Sequence, residues 1–178
     1  MSDVEDISFV FGDFLCSVEQ QDSREFGKEK NGAIVLPYGE GLQSFAKINV
    51  HKPLSVDYEL FVELAWWSPS GPRILLQQER LRLYVGYDFF VCCLDLDEQC
   101  LSTTLHLDGC FWEFLPLADG RLVCLHEAGA ACLGADGGLF WDVDLGDMLT
   151  DFSVKKGVLH LQGEEILMKV DLDSGKSA

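Results

Sequence analysis

Three pairs of aspartates, Asp95 with Asp97, Asp142 with Asp144 and Asp171 with Asp173, stand two residues apart. On a β-strand that spacing puts both carboxylates on one face, where they can share a hard cation such as Ca²⁺ or Mg²⁺. The richest run, Asp142-Val143-Asp144-Leu145-Gly146-Asp147, makes Asp142, Asp144 and Asp147 the candidate metal ligands. It departs from the EF-hand loop, which needs further oxygen ligands, Gly at the sixth position and Glu at the twelfth. The competing reading is a solvated strand face running into a turn, with Trp141, Val143 and Leu145 packed on the other side. No cofactor is indicated.

Cysteine and histidine offer two more pairs, Cys124 with His126 and His106 with Cys110, whose chemistry would be zinc ligation or nucleophile activation. A zinc site takes about four ligands, and no second closely spaced pair completes either set. Cys124 and His126 read equally well as core and rim of one strand face. Serine catalysis lacks its G-x-S-x-G elbow. Gly175-Lys176-Ser177 lacks the upstream glycine of a phosphate-binding loop and reads as a polar chain end.

Two features point to binding instead. From Leu83 to Val154 the chain carries 13 acids (Asp88, Asp95, Asp97, Glu98, Asp108, Glu113, Asp119, Glu127, Asp136, Asp142, Asp144, Asp147 and Asp151) and one base, Arg121, hence 1 − 13 = −12. Carboxylates on the outward sides of strands would present a negative face that steers a cationic partner, and they also serve solubility and edge protection. The second feature is Trp66-Trp67 followed by Arg73, Arg80 and Arg82. Adjacent residues of a strand point to opposite faces, so one Trp leaves the main core unless both sheet faces are covered. Trp and Arg are enriched at interfaces, so these five residues are the candidate contact set, and a homo-oligomer joining Arg cluster to acidic face is expected.

The whole chain has 178 residues, 48% of them hydrophobic, enough for a packed core in one domain spanning 1–178. Its 13 basic and 30 acidic residues leave 13 − 30 = −17, which argues against nucleic-acid and anionic-membrane partners. Seven cysteines, an odd number without a C-x-x-C pair, argue against a disulfide framework. With an acidic start, Met1 to Asp6, and no apolar stretch near the roughly 20 residues that span a bilayer, the expectation is a cytoplasmic protein.

The elements that must position these residues are strands. Residues 1–32 are ambiguous: Val4, Ile7, Phe11, Phe14 and Val18 recur at helical spacing, Ile7, Phe9 and Phe11 at strand spacing, and Ser2 with Glu5 fits a capping box. Asn31-Gly32 marks a turn, and 33–178 reads as an antiparallel meander. Its apolar runs are Tyr58 to Trp67, Leu81 to Leu96, Cys110 to Leu117, Leu122 to His126, Leu139 to Val143 and Val158 to Leu172. Turn signals separate them at Asp108-Gly109, Asp119-Gly120, Asp136-Gly137-Gly138, Lys156-Gly157 and Asp173-Ser174-Gly175. Met148, Leu149 and Phe152 share a helical face, so a short helix is expected over Gly146 to Phe152. The fold class is mainly β: a meander curved into a barrel or two packed sheets, with at most one or two short helices.

A weak repeat runs through the meander. A shift of 122 − 83 = 39 places Leu83, Cys93, Leu94 and Asp97 on Leu122, Cys132, Leu133 and Asp136; a further 159 − 122 = 37 places Leu122 and Asp136 on Leu159 and Asp173. Val158 to Lys176 resembles the outer hairpin of a quinoprotein-type or WD-type propeller blade, and a period of about 40 fits blades. Three such units cannot close a propeller of four or more blades, so the repeat is read as successive hairpins of an antiparallel sheet, and no family is assigned.

The functional expectation is a non-catalytic interaction protein that self-associates and faces a basic partner, an inhibitor or immunity-like role being one form of it. The alternative is a small-ligand-binding β-barrel whose pocket is lined by Phe89, Phe111, Trp112 and Phe140. An enzyme using dispersed carboxylates or a Cys and His pair is the third reading.

Overall fold

A computed structural model describes residues 7–11, 13–22, 26, 33–39, 43–52, 58–69 and 71–178. The capping box at Ser2 and Glu5 and the Asn31-Gly32 turn lie outside the described residues. The chain forms two compact units. The first comprises Met1–Gly71, Leu76–Tyr84 and Leu94–Leu101; the second comprises Pro72–Leu75, Val85–Cys93 and Ser102–Ala178.

The first unit is built on a five-stranded sheet of order β1-β2-β4-β5-β3, with β1 Ile7–Phe11, β2 Phe14–Gln21, β3 Ile34–Val35, β4 Ser44–His51 and β5 Glu59–Trp66. The ambiguous N-terminal pattern resolves as a β-hairpin, Phe11 pairing with Phe14. Alternation fixes the register. Cys16, Val50 and Leu60 align across three strands, as do Val18, Ile48 and Val62, and all six are buried. A slip of one residue would turn this apolar set to the other face, where Lys47 stands between Glu19 and Glu63. β3 departs from a pure meander by pairing parallel to β5.

Strands β6 Arg73–Gln77, β7 Arg82–Tyr87, β8 Phe90–Asp95 and β9 Cys100–His106 form a four-stranded sheet in sequence order. The 3-10 turn Gln78–Arg80 joins its first two strands, and it is the one helical element among the described residues. The Asp95 carboxylate builds the β8–β9 turn by accepting the backbone N–H groups of Asp97 and Glu98.

Two further sheets make up most of the second unit. One contains β10 Phe111–Pro116, β11 Leu122–His126, β12 Gly129–Leu133 and β13 Leu139–Asp144; the other contains β14 Asp151–Lys155, β15 Val158–Gln162 and β16 Leu167–Asp171. Rows Val123-Cys132-Trp141 and Leu125-Ala130-Val143 cross the first of these on one face. They pack against Leu159, Leu161, Val170 and Leu172 of the other, with Leu145 and Leu149 closing the layer. Polar contacts reinforce it. Arg121 donates to Asp119 Oδ2 at 2.7 Å, Asp173 Oδ1 at 2.6 Å and the Leu172 carbonyl at 2.8 Å, and Trp141 Nε1 donates to the same carbonyl at 3.2 Å. Gly175 lies against the Trp141 ring and Ser177 bridges back to Val170, while Lys176 and Ser177 themselves are exposed.

The fold is thus mainly β with packed sheets, and the described residues form no closed barrel. No helix forms over Gly146 to Phe152. Gly146 has a left-handed φ of 71°, Leu149 inserts into the core while Met148 faces out, and β14 begins at Asp151. The repeat also has a different meaning from successive hairpins of one sheet. Leu83, Leu122 and Leu159 fall on β7, β11 and β15, the second strand of three separate sheets.

Candidate functional site

The expected metal set is not brought together. Asp144 accepts the Gly146 N–H at 2.8 Å, and Asp147 takes the N–H groups of Met148 and Glu165, each at 2.8 Å. Those bonds hold the Asp147 carboxyl below its ordinary range, the Glu165 amide foremost. Asp142 stands on the opposite face from Trp141, and no group of three or more His, Cys, Asp or Glu side chains arranged to hold a metal occurs among the described residues. The recurring pairs are largely turn chemistry. Asp95, Asp144 and Asp171 each cap the backbone that follows, as short carboxylates do where a hairpin closes.

Cys124 and His126 do share a strand face, and both are buried. Burial pushes the Cys124 thiol well above its ordinary range, which removes the thiolate that nucleophilic chemistry needs. His106 stacks on Phe89 at 6.2 Å, and Cys110 is raised to about 11 by burial and by Glu127. Neither pair is an activated nucleophile.

His126 has a physical consequence of its own. Neither ring nitrogen has a hydrogen-bond partner among the described residues, and burial pulls the imidazole below its ordinary 6.5 against the opposing fields of Asp142, Asp108 and Asp144. The folded chain resists a proton that the unfolded chain accepts near 6.5, so stability is full above that pH and falls as pH drops toward the folded value. Urea midpoints measured from pH 7.5 to 5.5 should decline more steeply for the native chain than for His126→Gln, the histidine's share being limited to about 1.4 kcal/mol per pH unit. Equal slopes would show that His126 keeps its ordinary pKa.

The residues expected at a contact surface are divided between the units. Trp66, the last residue of β5, is buried, and its neighbour Trp67, just beyond the strand, is 43% exposed. Arg80 is exposed on the 3-10 turn, and Arg82 lies 3.8 Å from Asp95; these four belong to the first unit and Arg73 to the second. The aromatic pocket set is dispersed within the second unit. Phe89 stacks on His106, Phe111 packs on Phe114 at 4.6 Å, and Phe140 lies over the Arg121 guanidinium at 5.2 Å. Trp112 and Phe140 are exposed beside a buried aromatic of the same strand, Phe111 and Trp141, as alternation requires. Each is also the extra residue of a register shift, between Phe111 and Glu113 on β10 and opposite Cys132 and Leu133 on β13, so that Glu113 and Leu139 are exposed next to them.

The bulge at Trp112 helps to build a groove. A cavity of about 370 Å³ is lined by Arg73, Ile74 and Leu75 of β6 and by Trp112, Glu113 and Phe114 of β10. Both strands stand at the edge of their sheets. Trp112 also meets Phe152 of β14 edge to face at 6.3 Å. The groove therefore joins Arg73 from the contact set to Trp112 from the pocket set. Ile74, Leu75 and Phe114 carried no comparable signal, because nothing in the sequence brings an edge strand of one sheet beside an edge strand of another.

No family model and no curated protein matches the chain. Solved structures of β-propeller-like fold do. The chain is similar to apo AztD from Citrobacter koseri at 10% identity and TM-score 0.51, over 97% of this chain and 58% of that one. Weaker likenesses are HIRA(644–1017), at 8% identity and TM-score 0.47 over 97% and 51%, and the AfRom2 CNH domain, at 10% and 0.46 over 97% and 52%. The chain thus spans about half the length of these structures, and the likeness to AztD concerns fold alone. Its sheets of consecutive antiparallel strands are the kind of unit from which propeller blades are made.

Proposed function

We propose that the protein is a non-catalytic interaction protein that self-associates and offers an acidic face to a basic protein partner in a reducing cytoplasm. The exposure of its carboxylates carries the reading. Of the 13 acids between Leu83 and Val154, ten (Asp97, Glu98, Asp108, Glu113, Asp119, Glu127, Asp136, Asp142, Asp144 and Asp151) are exposed, Asp95 and Asp147 are half-buried, and only Asp88 is buried. That span of sequence has one base, Arg121, whose guanidinium is committed to Asp119 and Asp173, and Arg82 just before it stands 3.8 Å from Asp95. A surface so weakly neutralised attracts cations over about 10 Å at moderate salt. Seven free thiols support the reducing compartment.

Self-association is favoured by exposed apolar side chains in the second unit. Met148, Ile166 and Leu167 are 60%, 38% and 56% exposed, and the Asp147 carboxylate ties the two segments that carry them by accepting the Glu165 amide.

Titration with poly-L-lysine of about 20 residues tests the acidic face. Binding should be tight at about 50 mM salt and weaken at least tenfold at about 500 mM, while poly-L-glutamate should not bind. Absence of poly-L-lysine binding at the lower salt would overturn the proposal.

A further inference from the structure

The groove between β6 and β10 holds two opposite charges that the fold does not use. Arg73 and Glu113 are both exposed, and neither the guanidinium nor the carboxylate has an ion pair or side-chain hydrogen bond among the described residues. They line the same cavity without meeting each other, together with Ile74, Leu75, Trp112 and Phe114. A cation and an anion sharing a groove with apolar side chains complement a ligand with the reverse arrangement. One wall, β6, is an edge strand, the element to which an extended polypeptide adds. Arg73 to Leu75 present about 10 Å of that edge, roughly three residues of extended chain.

We propose that this groove binds an extended polypeptide segment in which an apolar side chain packs on Trp112, a basic side chain reaches Glu113 and an acidic side chain reaches Arg73. The inference rests on the reading of the protein as an interaction module and names where one partner segment would sit. Alternation lets one face of such a segment carry all three side chains at every second position. Trp112 is the anchor because a large aromatic in a partly desolvated groove supplies most of the contact energy, and the two flanking charges supply selectivity.

The test uses dye-labelled, blocked pentapeptides and fluorescence anisotropy. Acetyl-Lys-Thr-Phe-Thr-Glu-amide should bind the native chain at least tenfold more tightly than its Ser-Thr-Phe-Thr-Ser counterpart, and Trp112→Ala should remove about tenfold of that affinity. Glu113→Lys leaves two positive charges in the groove and should switch preference to the Glu-Thr-Phe-Thr-Glu peptide; Arg73→Glu should switch it to Lys-Thr-Phe-Thr-Lys. Because Arg73 and Glu113 are exposed and unpaired, these variants should keep the native urea midpoint. A native chain that does not distinguish the charged from the uncharged peptide, or variants without the switch, would overturn the proposal. So would full displacement of the peptide by an equal concentration of free phenylalanine, which would make the groove a site for a small zwitterion. Poly-L-lysine binding that survives such a failure would leave the acidic-face proposal standing.

Discussion

Replacing Trp141 by alanine is expected to lower the stability of the second unit by about 3–5 kcal/mol. The indole is 8% exposed and lies within the cluster that joins β10–β13 to β14–β16, beside Val123, Cys132, Leu159 and Leu172. Its removal would leave a cavity in a layer whose other walls are strands fixed by their ladders, so collapse would recover little of the lost contact. The hydrogen bond from Nε1 to the Leu172 carbonyl would be lost too, although Arg121 still donates to that oxygen. Trp141→Phe separates the two contributions. It keeps most of the packing and should cost distinctly less, with about 1 kcal/mol from the hydrogen bond. Urea unfolding of both variants measures the difference, and a loss below about 1 kcal/mol for the alanine variant would show that the two sheets do not depend on the indole.

The second large effect is at Gly129, the first residue of β12. A Cβ built there would stand 2.1 Å from the carbonyl oxygen of Val143, a backbone atom of the neighbouring strand. Unlike a clash with a flexible side chain, this one is relieved only by moving β13, whose Val143 pairs with Ala130. Gly129→Ala should therefore cost about 3 kcal/mol or more. Gly157 provides the control. It occupies the β14–β15 turn at a φ of 79° with open space around its Cβ position, so alanine there should cost only the left-handed penalty of about 1 kcal/mol. Equal costs at the two sites would mean that β13 yields easily and that the close approach is not a constraint.

The residues explain which parts of this structure were legible in the sequence. Leu122-Val123-Cys124-Leu125-His126 is bounded by Asp119-Gly120 and by the polar Glu127, and it is a strand over those same five residues. Gly129-Ala130-Ala131-Cys132-Leu133 gave no strand signal because four of its five residues are small and none is β-branched or aromatic. At Gly129 the neighbouring backbone leaves no room for a side chain. The acidic pairs were visible but ambiguous, since an aspartate that caps a turn and one that binds a cation look alike until the backbone N–H groups are placed. The 39- and 37-residue shifts did carry the architecture, each marking a new sheet, but the shifts alone did not separate new sheets from further hairpins of one sheet.

The groove was the least legible feature. Arg73 and Trp112 are 39 residues apart, by 112 − 73, and fall in different sheets, and the bulge that exposes Glu113 beside Trp112 is a register property of β10 against β11. Period-2 reasoning assigns each residue to a face only while the register holds. At both bulges it failed for the residue next to the aromatic, Glu113 and Leu139, which are exposed where strict alternation would bury them.

Absolute mass by light scattering, on a size-exclusion column in reducing buffer at about 50 mM and about 1 M salt, tests most directly whether the chain works through its exposed surfaces. The account predicts a multiple of 19.9 kDa at both salts, because the exposed side chains of Met148, Ile166 and Leu167 are apolar and salt does not weaken their burial. A mass of 19.9 kDa at both salts would contradict self-association.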